Sequence, residues 1–228
     1  MLSILLQDTV AAETAAVVTE QKMSLIDMAV KGGWIMVVLL ILSVIAIYIF
    51  TKKAVMVRRA VRVDANFTSE IRDLIHEGKI RQAMQCCTEK NTPVARLYEK
   101  GIERLGRPMG DIQTAVENTG NVEVARLEKG LPMLATIAGG APMIGFLGTV
   151  TGMIRAFFNM ANAGNNIDIA LLSNGIYEAM VTTVGGLFVG IIAYFGYNYL
   201  TSRISDVVFK MENATVEFMD LLNEPAEK

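Results

Sequence analysis

Histidine and cysteine are almost missing from these 228 residues, with one of the first and two of the second. Cys86 and Cys87 are adjacent, without CxxC spacing, and His76 is the single histidine, so a metal site cannot be built from such ligands. The thiols are expected to be free and on the reducing side of a membrane, and His76 to be solvated on a polar helix surface. Only 19% of residues are charged and the formal net charge is −2. No basic stripe with interleaved aromatics occurs, which excludes a nucleic-acid surface. No nucleophile–base pair occurs either, so the chain is expected not to be an enzyme and to carry no cofactor.

What is abundant is apolar sequence. Hydrophobic residues make up 52% and the mean hydropathy is +0.40, concentrated in blocks too long for a soluble core helix. The opening "MLSILLQDTVAAETAA" lacks a basic n-region and has only a short apolar run, unlike a cleaved leader. Residues 1–32 are expected to form an amphipathic helix outside the membrane. The first span is "GWIMVVLLILSVIAIYIF", Gly33 to Phe50, with its end at residue 51. Its eighteen residues reach about 27 Å, enough for a hydrocarbon core. Trp34 and Tyr48 lie near its two ends, where amphipathic rings favour the interface. Large side chains surround it, so it reads as a lipid-facing peripheral helix.

Lys52, Lys53, Arg58, Arg59 and Arg62 follow at once, whereas residues 1–32 hold two basic and four acidic residues. The positive-inside rule then puts the N-terminus outside and the chain after residue 51 in the cytoplasm. Residues 52–130 read as a soluble helical domain with breaks at "NTPV" and "LGRPMGD", leaving room for two or three helices. Ala95, Leu97, Ile102 and Leu105 are its candidate packing residues. A second span covers 131–161, a turn "NAGNN" lies within 162–172 on the outer side, and a third span covers 173–202. An acidic, amphipathic C-terminal helix, 203–228, ends inside. The fold class is an all-α integral membrane protein with three spans, N-out and C-in.

The second span carries small residues in steps of three and four: Ala138, Ala141, Gly145, Gly148, Gly152 and Ala156. The third repeats the pattern with Gly175, Ala179, Thr183, Gly186, Gly190 and Ala193. Such stripes let helix backbones approach closely. Gly140 to Gly145 has the spacing of a phosphate loop, but Phe146 stands at the lysine position and no strand precedes it. Pro142 is expected to kink or locally unwind its helix, with neighbours satisfying the backbone. Reflecting the two spans about a turn near residue 166 sets Thr149 level with Thr183, and Arg155 level with Glu178. One threonine can satisfy itself on its own helix. Two at one depth on small-residue faces point to a polar lumen or a shared polar contact. Glu178 and Arg155 are open to two readings, a structural ion pair near the interface or a functional site.

"LPMLATIAGGAPMIGFLGTVTGMIRAF" and "GIYEAMVTTVGGL" resemble the second and third membrane helices of the MotA/TolQ/ExbB proton-channel family, and are most similar to ExbB and TolQ. MotA proteins have four spans, so that branch fits less well. The resemblance implies an inner-membrane ring, typically a pentamer, around the single membrane helices of an ExbD-like partner. It implies inward proton flow coupled to work on a TonB-like transducer for outer-membrane transport. By motif, Thr149 and Thr183 match the family's pore threonines and Glu178 its pore glutamate. The essential aspartate is expected on the partner. Arg155 departs from the family's neutral polar residue and is a candidate pore-mouth charge. Alternatives are a TolQ-like subunit for envelope integrity or constriction, a motility-linked stator, and, ranked lower, a membrane scaffold without ion flow. A solute transporter ranks low because the three dissimilar spans show no inverted repeat.

Overall fold

The structure is a computed structural model that describes residues 32–61, 65–162 and 169–223. The expected N-terminal amphipathic helix, most of the "NAGNN" turn, Arg62 and the last five residues lie outside the described residues. Among the described residues every regular element is a helix: α1 Gly33–Val61, α2 Ala65–His76, α3 Ile80–Lys90, α4 Pro93–Glu103, α5 Met109–Glu128, α6 Leu131–Asn162 and α7 Ile169–Asn223. Three helical stretches are long and apolar enough to cross a membrane.

The segment between the first and second spans holds four helices after α1 ends, rather than two or three. The additional break is at Gly78, whose φ of +72° takes the chain out of α2 into the left-handed region. At the "NTPV" break, Asn91 closes α3 in a left-handed cap, its N–H donating to the Cys87 carbonyl. Thr92 then opens α4, its Oγ1 accepting from the Ala95 N–H at 3.2 Å, with Pro93 in the first turn.

α7 runs unbroken for 55 residues, continuing through the position where hydropathy separates a third span from a C-terminal helix. Leu200, Ile204, Val207, Met211, Ala214, Phe218 and Leu221 are buried along this extension. Their alternating steps of four and three make one apolar stripe, which packs on α4 and α5. Tyr98 is sandwiched there between Phe67 and Phe218, with ring centroids at 5.7 and 5.0 Å. Ala95, Leu97 and Ile102 are buried in the same core, and Leu105 is half-buried.

Both cysteines are unbonded, Cys87 buried and Cys86 partly so. Burial pushes the Cys87 thiol up to about 12, helped by the charges of Cys86 and Glu99. Burial likewise raises Cys86, reinforced by Glu70. The thiolate is the reactive form, so Cys87 labelling in the folded protein is expected to climb with pH up to about 12. Because the folded thiol holds its proton longer than the unfolded one, its contribution to stability is full below the ordinary value of 9 and is lost toward about 12. Maleimide labelling at pH 8 should modify Cys86 slowly and Cys87 only on unfolding. Equal labelling of both in the folded state would contradict this burial.

Candidate membrane-embedded polar site

α6 and α7 form an antiparallel pair whose small-residue stripes face each other. A Cβ built on Gly145 would lie 2.8 Å from the Thr182 carbonyl oxygen and 3.0 Å from Gly186 Cα. One on Gly152 would lie 2.8 Å from Ala179 Cβ, and one on Gly175 2.7 Å from Ala156 Cβ. Gly186 faces the Ala141 carbonyl, and Gly190 faces Pro142 and the Ala138 carbonyl. Gly148 meets the Thr182 side chain. The stripes therefore close a hairpin within one chain. α6 remains helical through Pro142, and Gly190 lets α7 pack against the proline ring, with Cγ 2.5 Å from where a Cβ would stand.

This close approach brings Thr149 and Thr183 into direct contact, Oγ1 to Oγ1. The Thr183 hydroxyl also reaches the Gly145 carbonyl across the interface at 3.2 Å, and the Thr149 hydroxyl reaches the Ala179 carbonyl at 3.2 Å. Each hydroxyl has one proton and two lone pairs. With protons directed at carbonyls or at each other, the pair offers mainly acceptor lone pairs outward. Such a site receives a protonated carboxyl as it stands. A carboxylate is received only if a hydroxyl rotates away from its carbonyl to donate.

The threonine pair lies at one edge of the hairpin, and α1 covers the other. On the covered edge Gly148 faces Ile35, Gly185 faces Met36 and Leu39, and Gly196 faces Phe50. Thr182 is buried there and bonds the Ala179 carbonyl at 2.7 Å. The opposite edge is open: Phe146, Met153, Met180 and Leu187 are exposed around the half-buried threonines. Across this one hairpin, α1 shields one side and leaves the hydroxyl pair on the other.

Glu178 does not join the pair. Five residues from Thr183, it points about 140° away round the helix, onto the α1 side. A Cβ on Gly33 would lie 2.6 Å from Glu178 Oε1. The carboxylate thus sits at the N-terminal end of α1, where the helix dipole favours negative charge. Arg155 is exposed, and among the described residues no ion pair links it to Glu178. Equal depth on a hairpin does not bring side chains together unless they point at each other. Gly33 also has φ +64°, so Gly33→Ala combines backbone strain with this overlap. A cost of about 1–3 kcal/mol is expected, read as faster amide exchange in the first turns of α1. Unchanged exchange would place Glu178 elsewhere.

Sequence reasoning missed a second polar cluster, at the other end of α1. Lys53 is buried, and its Nζ donates to the Arg126 and Leu127 carbonyls at 2.9 and 3.1 Å. It therefore pins α1 to the C-terminal end of α5, where orphan carbonyls need donors. Beside it Glu123, also buried, is held by Arg96 at 2.5 Å and Arg126 at 3.2 Å. Only the Glu123–Arg126 spacing was visible in the sequence. Arg96 lies 27 residues from Glu123, and Lys53 lies 73 from Arg126.

Comparison with known proteins agrees with this architecture. A profile of the MotA/TolQ/ExbB proton channel family matches residues 89–213, from α3 through the second and third spans into the α7 extension. The chain is 30% identical over 193 residues to a putative biopolymer transport protein ExbB homolog of Methanothermobacter thermautotrophicus, covering 83% of this chain and 67% of that one. It is 25% identical over 180 residues to the biopolymer transport protein ExbB of Neisseria meningitidis, covering 73% and 80%. It is 36% identical over 106 residues to the Tol-Pal system protein TolQ of Haemophilus influenzae, covering 46% of each. With three membrane-compatible helices and a match that takes in both faces of the threonine pair, this membrane protein belongs to the MotA/TolQ/ExbB proton channel family.

Proposed function

We propose that the chain is an ExbB-like subunit of an inner-membrane ring, typically a pentamer, with its N-terminus in the periplasm. The ring encloses the single span of an ExbD-like partner, passes protons inward, and drives a TonB-like transducer for outer-membrane transport. It performs no covalent catalysis in this reading. The observation that carries it is the Thr149–Thr183 pair on the edge of the hairpin opposite α1. A ring built with α1 outermost turns that edge toward the lumen.

A partner carboxylate entering this low-dielectric face is costly when charged, which raises its pKa. The two threonines accept from its protonated form, and donate to the ionised form after rotation. Alternation between these contacts is a means of coupling protonation to movement. One elementary charge crossing 100 mV gains about 2.3 kcal/mol, so a few protons suffice for a rearrangement of several kcal/mol. Glu178, on the α1 edge, acts at the outer end of α1 in this scheme.

A TolQ-like role in envelope integrity is the second reading, favoured by the similarity to the Haemophilus TolQ protein. Both readings share the proton path. Proteoliposomes holding the ring with its single-span partner should acidify inside under an imposed pH gradient, and the ring alone should not. A scaffold without ion flow predicts no acidification in either case.

A further inference from the structure

The open edge of the hairpin continues past the threonine pair into a groove of about 290 Å³ between the end of α5, the start of α6 and the extension of α7. Thr201 on its wall lies 18 residues after Thr183, and Leu131 lies 18 residues before Thr149. Each interval is about five helical turns, so both residues share the direction of the threonines, about 27 Å nearer the side assigned above to the cytoplasm. On α5, Val124 and Glu128 line the groove. They stand about 160° round the helix from Arg126, which lines the α1 side. The groove is therefore on the edge that α1 leaves uncovered.

Its wall is acidic and apolar. Glu128 and Glu212 line it, and no lysine or arginine does. Among the described residues neither carboxylate is in an ion pair. The neighbouring cations are directed elsewhere. Arg203 and Lys210 leave α7 about 160° and 180° round from Thr201, and Lys129 lies near Lys53. Val124, Leu131, Ile204 and Phe209 supply the apolar part, and Phe209 is 63% exposed. Thr201 Oγ1 is buried with no hydrogen-bond partner among the described residues, an unusual condition for a buried hydroxyl. Ser205 beside it spends its own proton on the Thr201 carbonyl at 3.1 Å.

We propose that this groove docks the basic segment that flanks the partner's single span on the cytoplasmic side. The inference rests on the reading that the open edge faces the lumen. A span enclosed there leaves the membrane at the depth of the groove, and lysine and arginine concentrate on the cytoplasmic flank of a span. Glu128 and Glu212 pair with those cations, and the apolar wall covers their aliphatic stems. Thr201 supplies a hydroxyl for the segment's backbone. Charges at such a rim select the partner more than they add affinity, so the groove sets which single-span protein the ring accepts.

The test uses the full-length chain co-expressed with its ExbD-like single-span partner. Benzoylphenylalanine is placed at Phe209 in one set and at Met180, beside the threonine pair, in another. Adducts at Phe209 should carry the partner's cytoplasmic flank, and those at Met180 its span. Glu128→Gln/Glu212→Gln, at two exposed positions, should lower the Phe209 adduct about fivefold or more and leave the Met180 adduct and the melting temperature unchanged. Glu89→Gln/Glu117→Gln, away from the groove, should change neither adduct. Glu128→Lys/Glu212→Lys should regain the Phe209 adduct when the partner's flanking lysines and arginines are changed to glutamate. The docking is overturned if Phe209 crosslinks to a second copy of this chain or to lipid. It is also overturned if both glutamine variants behave alike. Partner adducts at Met180 with none at Phe209 overturn the docking and leave the lumen reading standing. No partner adduct at either position overturns the lumen reading, and the docking with it.

Discussion

Thr149→Val combined with Thr183→Val is expected to abolish proton-driven work while leaving the assembled protein intact. Valine keeps the shape of threonine and deletes only the hydroxyl. The Gly145 and Ala179 carbonyls each lose a cross-helix donor, but they belong to helical backbone and are not left as isolated polar groups. Cross-helix bonds of this kind contribute about 0.6 kcal/mol each in a membrane, so the hairpin should survive. In the proposed mechanism a partner carboxyl, by contrast, loses both of its hydroxyl contacts. Hydrogen bonds to a charged group are worth about 1.5–3 kcal/mol each, which corresponds to a loss of about a hundredfold or more in rate. Thr149→Ser with Thr183→Ser should retain most activity, because the hydroxyls remain. Thr182→Val should too, since that hydroxyl is buried on the α1 side and bonds its own helix. Normal energisation by the double valine variant would remove the hydroxyl pair from the mechanism.

Gly186→Leu should be the most damaging packing change. A Cβ at this position would stand 2.5 Å from the Ala141 carbonyl oxygen and 2.8 Å from Gly145 Cα. Both are backbone atoms, so relief requires α6 and α7 to move apart. Overpacking a tight contact costs about 1–3 kcal/mol, and the branched remainder of leucine adds to it. The same separation pulls Thr149 from Thr183, so activity and stability should fall together. Gly139 and Gly140 make the comparison informative, because an added Cβ there meets nothing within 4 Å. Gly139→Ala should stabilise α6 by about 0.5–1 kcal/mol through helix propensity alone. Thermal unfolding in detergent measures both. Equal effects at Gly186 and Gly139 would contradict the intramolecular hairpin.

The contrast between these glycines shows what was legible in the sequence. Antiparallel helices rise equally per residue, so reflection about the turn places Thr149 beside Thr183, and the small-residue stripes mark the facing sides. Which edge of the hairpin is covered was not legible. α1 carries large apolar residues all round, and its burial of Ile35, Leu39 and Ala46 leaves Val37, Leu40 and Val44 exposed without a polar signal to tell them apart. Hence the placement of Glu178 against Gly33 was not visible, although its depth was. Pro142 was expected to kink or locally unwind α6; the helix stays continuous there, and Gly190, 48 positions away in the sequence, makes room for its ring against α7. The Lys53 and Arg96 contacts escaped for the same reason. Lys53 meets Arg126 and Leu127 only through the docking of α5 on α1, and Arg96 meets Glu123 only through the packing of α4 on α5.

The orientation of the open hairpin edge is the central claim, and site-specific photo-crosslinking tests it most directly. A photoreactive residue at Met180 or Leu187, beside the threonine pair, should crosslink to the single-span partner in membranes. The same residue at Leu40 or Val44, on the exposed face of α1, should crosslink to lipid and not to the partner. Partner adducts from Leu40 or Val44, with none from Met180 or Leu187, would show that the hydroxyl pair does not face the lumen.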